Sequence, residues 1–201
     1  MASEVLDRLA QFVKIQARPV DKFGHQPRLI ELTQALGADL PHDRDIVAAA
    51  AWLHDLGVFV GHRPENPDDL ARWDHVAYAC SHAPVILRQA GFPEDKIPSV
   101  LAAIRQHQPG DEPETIEATI LRDADILEQL GAIGILRIVS KVGRDTRFPC
   151  FTDAVAVLHR NLQELPGKLR LESARRMAAP RIAILQQFLL AVHDESGANL
   201  L

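Results

Sequence analysis

The chain has 201 residues, a length typical of one domain, and carries a net charge of −5 from 22 Lys and Arg against 27 Asp and Glu. No basic run of the kind that binds a nucleic-acid duplex is present, and no apolar stretch approaches the roughly 20 residues that span a bilayer. The two cysteines, Cys80 and Cys150, are far apart and outside any CxxC pattern, which argues against disulfides and against cysteine-ligated zinc. We therefore expect a cytoplasmic protein with free thiols.

Apolar residues recur at helical spacing along the chain, and no stretch alternates as a half-buried strand would. Alanine and leucine are abundant and aromatic residues make up only 5%, which favours helix over sheet. Gly37, Gly57, Gly91 and Gly131 each follow a periodic stretch and are expected to stop a helix, whereas Pro93 is placed to open one. The predicted helices are, in chain order, 5–13, 25–36, 44–56, 70–89, 93–107, 114–130, 133–142, 152–165 and 171–193.

A loop is expected at 58–69, which holds one glycine and two prolines. Loops of this length usually carry function or are disordered. Because this loop directly follows His54 and Asp55, it could cover a site there. Pro84 falls within the next predicted helix and is expected to kink or divide it.

The dipeptide His54-Asp55 lies near the end of the apolar stretch 46–56. Burying either polar group without a partner would cost about 2–7 kcal/mol. We therefore expect the two to have a common partner, and a metal ion can serve both. Other residues that can complete such a site are His25, His75, His107 and Asp125.

Two aspartates of the sixth predicted helix, Asp123 and Asp125, compete for one place in this site. Successive helix residues diverge by about 100°, so these two side chains point about 200° apart and only one should reach a common ion. Because that helix is apolar on nearly all sides, its periodicity does not choose between them.

The ordered motifs are Gly24-His25-x-x-Arg28, Leu53-His54-Asp55-Leu56-Gly57 and Asp123-Ala124-Asp125, with further segments at 90–97, 103–107, 130–134 and 173–178. In these motifs the chain resembles the HD-domain metal-dependent phosphohydrolase superfamily, and in the further segments its small stand-alone bacterial and archaeal branch. The resemblance covers most of residues 20–190. It implies an all-α, single-domain, HD-type helical bundle of about nine helices. We expect residues 1–150 to form the HD helical domain with the metal site, and 151–201 to form a helical extension packed on it.

The resemblance also implies a set of metal ligands. One ion is expected on His25, His54, Asp55 and Asp125, a match that selects Asp125 over Asp123. Members with two metals have further histidines between the His-Asp dyad, here His54-Asp55, and the final aspartate. The candidates for these histidines are His75 and His107. Imidazoles with carboxylates suit one or two ions of Mn, Fe, Co, Ni or Zn better than Mg.

The resemblance, together with these ligands, also implies an activity. A metal-activated water would hydrolyse a small phosphorylated compound, with nucleotides among the candidates. Asp55 is expected to take part in catalysis, and Arg28, one helical turn beyond His25, could hold a substrate phosphate. The alternatives are a di-iron oxygenase of the same fold and a non-catalytic, metal-binding sensor domain. Neither a nucleic-acid duplex nor a membrane is an expected partner, and a homo-oligomer is left open.

Overall fold

The computed structural model describes residues 2–197, with only the backbone described at residues 2, 3 and 21. This part of the chain contains ten α-helices, short 3-10 turns and no strand, which confirms the all-α prediction. The helices are α1 (Ala2–Gln16), α2 (His25–Gly37), α3 (Arg44–Leu53), α4 (Pro67–Ala71), α5 (His75–Ala90), α6 (Ile97–Arg105), α7 (Ile116–Glu128), α8 (Gly131–Val139), α9 (Phe151–Glu164) and α10 (Glu172–Ser196).

The chain groups into two compact units, Met1–Ala124 and Asp125–Leu201. The division falls within α7. The domain limits expected from the sequence, 1–150 and 151–201, stay a prediction.

Helix α3 is the centre of the first unit and packs against α1, α2 and α6. Its middle consists of small residues, and Ala49, Ala50 and Ala51 are completely buried. Small side chains let neighbouring helices approach closely, so α3 lies deep in the unit. The Asp43 carboxylate caps its first turn by accepting from the backbone N–H groups of Asp45 and Ile46. His54 and Asp55 follow the other end of α3, where His54 is completely buried and Asp55 is half-buried.

Gly57 has a different role from the one predicted. Helix α3 already ends at Leu53, and Gly57 is not among the glycines with a left-handed backbone, so its prediction as a helix stop was wrong. A Cβ atom at Gly57 would lie 2.7 Å from the carbonyl oxygen of His75. The residue must be glycine because another backbone segment passes against it. Gly91, with φ +78°, does end α5 as predicted.

The region around the predicted loop is more helical than expected. Asn66 caps a short helix, α4, with Pro67 in its first turn. The next helix begins only at His75, where Asp74 caps it, and it continues through Pro84 without being divided. The extra helix accounts for ten helices instead of about nine.

In the second unit, α8, α9 and α10 pack against one another. The buried residues of α10, Ala174, Ala178, Leu185 and Leu189, lie on one helical stripe. Within the described residues, no helix combines the length and the apolar character needed to cross a membrane.

Candidate metal centre

Five of the six predicted ligands come together within Met1–Ala124. Each lies at or near the end of a helix: two are the first residues of α2 and α5, two follow α3, and one follows α6. They are His25, His75, His54, Asp55 and His107. Helix ends therefore place these side chains in one small volume.

The Asp55 carboxylate lies among the imidazole Nε2 atoms. Its Oδ2 is 3.7 Å from Nε2 of His25 and 3.6 Å from Nε2 of His54, and these two nitrogens are 3.4 Å apart. Its Oδ1 is 4.0 Å from Nε2 of His75. Two atoms bound to one ion at about 2.1 Å can be at most about 4.2 Å apart, so these separations are compatible with shared coordination.

In both His54 and His107, the two ring nitrogens have different surroundings. Nδ1 of His54 lies 2.9 Å from the carbonyl oxygen of Ala51, and Nδ1 of His107 lies 2.7 Å from that of Ile104. A carbonyl oxygen only accepts, so each Nδ1 carries the hydrogen and donates it. In the neutral imidazole, Nε2 then keeps its lone pair for an electrophile. An imidazole that donates from one ring nitrogen to a backbone carbonyl and turns the other nitrogen towards the site is typical of metal-ligating histidines.

His107 lies beside the dyad and beside His75. One ligand atom each from His54, Asp55 and His107 lies within 4.8 Å of the others. The His107 ring meets the His54 ring edge to face at 4.9 Å and the His75 ring at 6.0 Å. The two oxygens of Asp55 face different histidines: Oδ2 lies near His25 and His54, and Oδ1 lies near His75.

The turn after the dyad is tied to the beginning of α5. The indole N–H of Trp73 donates to the carbonyl oxygen of Gly57 over 2.8 Å. The backbone of His75 passes against the same glycine. These two contacts fix the position of His75 relative to Asp55.

The loop that follows the dyad is held by His62. Its Nε2 donates to Oε1 of Gln16, and its Nδ1 accepts from the hydroxyl of Tyr78, both over 2.9 Å. Burial lowers the pKa of His62, and the nearby His82 lowers it further. The neutral ring therefore links the loop to α1 and α5.

Arg28 folds back along α2. A Cβ atom at Gly24 would lie 3.1 Å from Nη1 of Arg28, so the guanidinium lies over the residue that precedes His25. The side chain is partly exposed. Its charge is therefore near the His25 end of the helix, as the helical spacing predicts.

Asp125, the sixth predicted ligand, is the first residue of the second unit. Its Oδ2 accepts from Nε2 of Gln129 over 3.1 Å, and its Oδ1 lies 3.9 Å from Nη1 of Arg137. Asp123 is completely buried and pairs with Arg122 at 3.5 Å. The choice of Asp125 as the ligand stays a prediction. Sequence reasoning did not find Arg137, because no motif or periodicity distinguishes it from other arginines.

The chemistry of the donors fits a divalent transition metal. Neutral imidazoles and a carboxylate are the ligands that first-row divalent ions prefer, whereas Mg is usually held by oxygen atoms alone. The described residues can therefore hold a metal, without defining which one.

The all-α fold and the cluster of histidines with an Asp at helix ends define an HD-type protein. The family model of the HD domain matches residues 23–130. The chain therefore belongs to the HD-domain family. It is similar to Ribonuclease Y from Desulforudis audaxviator (strain MP104C), with 31% identity over 103 residues. That match covers 51% of this chain but only 17% of the curated relative.

Two solved structures share the fold over nearly their whole length. YpgQ of Bacillus subtilis in complex with ADP is 22% identical, with a TM-score of 0.75, over 98% of this chain and 97% of that one. A predicted HD superfamily hydrolase from an uncultured Thermotogales bacterium is 25% identical, with a TM-score of 0.63, over 97% and 92% of the two chains.

Proposed function

We propose that this chain is a metal-dependent phosphohydrolase that acts on a small phosphorylated compound, with a nucleotide as the first candidate. The observation that carries the proposal is the convergence of imidazole Nε2 atoms on the Asp55 carboxylate, at separations that one ion can span. Membership of the HD-domain family supports hydrolysis. The similar YpgQ structure in complex with ADP supports a nucleotide.

We assign the first ion to His25, His54, Asp55 and the predicted ligand Asp125. A second ion would use His75 and His107, with Asp55 offering its two oxygens to the two sides. When bound, such an ion lowers the pKa of water and polarises a phosphoryl oxygen.

The chain itself supplies orientation and charge. The Nδ1 bonds of His54 and His107 to backbone carbonyls hold both rings with Nε2 towards the site. The Arg28 guanidinium, beside Gly24, provides a cation for an anionic substrate oxygen.

A nucleic-acid substrate is less well supported than a small one. The ribonuclease relative matches over a small part of its length, and this chain is acidic, with a net charge of −5. A small phosphate ester needs only a local cation, which the site region has. A cytoplasmic location belongs to the same proposal.

The test begins with elemental analysis of the protein as purified. The metal-free protein is then assayed on nucleotides and simple phosphate esters with Mn, Fe, Co, Ni, Zn or Mg. We expect turnover that disappears on chelation and returns with a transition metal. Oxygen consumption by iron-loaded protein, without hydrolysis, would establish the oxygenase alternative. Bound metal without any turnover would favour a sensor.

A further inference from the structure

The second unit contains a buried pair of carboxylates that share one guanidinium. Asp125 and Glu128 are three residues apart on α7, with side chains 12% and 2% exposed. Nη1 of Arg137, on α8, lies 3.9 Å from Oδ1 of Asp125 and 3.6 Å from Oε2 of Glu128. It also lies 3.5 Å from the carbonyl oxygen of Glu128.

Only part of the Arg137 guanidinium is used by these contacts. Within the described residues, Arg137 donates its hydrogen bond from Nη1, which is also the atom given for both ion pairs, while Nε and Nη2 donate no hydrogen bond. The side chain is 30% exposed. Nε and Nη2 on one edge of a planar guanidinium are the pair of donors that binds a phosphate or carboxylate with two parallel hydrogen bonds.

We propose that Arg137 binds the phosphoryl group of the substrate, so that Asp125 and Arg137 form a metal ligand and a phosphate ligand side by side. This inference rests on the proposed function, because it takes Asp125 as a ligand of the ion. An ion on Asp125 offsets the charge of that carboxylate. Glu128 then remains as the counter-charge of Arg137, but it also interacts electrostatically with Arg181. The positive charge of Arg137 is therefore only partly compensated, and an anionic group beside the ion completes the balance.

Other arginines of the second unit are already engaged. Arg175 donates from Nε to the carbonyl oxygen of Leu169, and Arg176 pairs with Glu172 at 2.7 Å. Arg181 donates from Nη1 to the carbonyl oxygen of Leu127. Of these four side chains, Arg137 is the one in contact with the predicted metal ligand.

The test measures binding of inorganic phosphate to manganese-loaded protein by calorimetry, so it does not depend on turnover. Arg137→Met should keep the metal content and weaken phosphate binding roughly 10- to 100-fold, the loss expected for a charge-assisted hydrogen bond. The phosphate affinity of Arg137→Lys should lie between those of the wild type and Arg137→Met. Lysine keeps the positive charge but lacks the two parallel N–H donors of the guanidinium. Arg176→Met, which removes an exposed arginine of the same unit, should bind phosphate like the wild type.

A second pair of variants controls for loss of stability in Arg137→Met. Arg137→Met leaves the buried Glu128 carboxylate without this partner, which can destabilise the unit. Glu128→Gln combined with Arg137→Met removes that charge, and Glu128→Gln alone is its reference. We expect phosphate affinity to be retained in Glu128→Gln and to be weakened in the double variant as much as in Arg137→Met.

The outcomes separate the two proposals. Unchanged phosphate affinity in both Arg137→Met proteins overturns the inference, and so does wild-type protein that binds manganese but not phosphate. Loss of manganese in Arg137→Met also overturns it, because the arginine would then act only by holding Asp125. Asp125→Asn that keeps its full metal content contradicts the ligand assignment in the proposed function, and leaves the phosphate measurement on Arg137 valid.

Discussion

The imidazoles of His54 and His107 show how the backbone prepares a side chain for chemistry. Each donates from Nδ1 to the carbonyl oxygen of the residue three positions earlier, Ala51 and Ile104. The end of a helix has carbonyl groups without intrahelical partners, so it offers this acceptor at no cost to the helix. The bond fixes both the tautomer and the ring orientation, which leaves Nε2 as the ligand atom.

The ion pair between Asp145 and Arg147 leads to an expectation for stability in acid. Arg147 donates to the Asp145 carboxylate from Nη2 at 2.6 Å and from Nε at 3.0 Å, and these bonds lower the pKa of Asp145 to about 2. An unfolded aspartate has a pKa of about 3.9, so the pair stabilises the fold above pH ~4, and this contribution is lost as the pH falls towards 2. Because Arg147 is 70% exposed, we expect no more than about 1 kcal/mol.

Urea unfolding of metal-free protein at several pH values tests this expectation. Asp145→Asn should be less stable than the wild type at pH ~5, and the difference should shrink as the pH falls through the range between the two pKa values. The matched control is Asp39→Asn at an exposed position. A difference for Asp145→Asn that is independent of pH would contradict the role of the ion pair.

The ends of helices, rather than their faces, form the candidate metal centre. α2 and α5 contribute their first residues, and the chain leaving α3 and α6 contributes the others. This arrangement needs close backbone approach at one point, where His75 passes Gly57. The small residues in the middle of α3 likewise let its neighbouring helices approach closely.

Gly57→Ala tests this close approach. The added methyl group would lie 2.7 Å from the His75 carbonyl oxygen and 2.8 Å from its Cα, so the start of α5 must move. We expect a loss of about 1–3 kcal/mol in the free energy of unfolding, the range for overpacking, together with weaker metal binding. Thermal unfolding and titration with Mn measure the two effects.

Gly110→Ala is the matched control, since a Cβ atom there meets nothing within 4 Å. It should leave both stability and metal binding nearly unchanged. If Gly57→Ala lowers stability but not metal affinity, the contact is structural and does not position His75.

Metal binding should be measurable in the stability of the folded protein. A ligand that binds only the native state stabilises it by about 2.7 kcal/mol at a free concentration 100 times its Kd. For a protein of this size, that corresponds to a rise in Tm of roughly 5–10 °C. We expect this rise when a transition metal is added to chelator-treated protein.

Asp55→Ala should remove the metal-dependent rise in Tm, and Asp39→Ala should keep it. Differential scanning calorimetry with and without the metal measures both. An Asp55→Ala protein that still gains the full rise would exclude Asp55 as a ligand. The design does not require any knowledge of the substrate.

The sequence alone was sufficient for the all-α class and for most helix positions, because apolar periodicity and helix-terminal residues act locally. It also selected His25, His54, Asp55, His75 and His107, through the order of motifs shared with the HD family. Tertiary structure was needed to bring these five side chains together, since His54 and His107, which are 53 positions apart, meet only after packing. The approach of His75 to Gly57 and the neighbours of Arg137 likewise depend on contacts between segments distant in sequence, which local patterns do not encode.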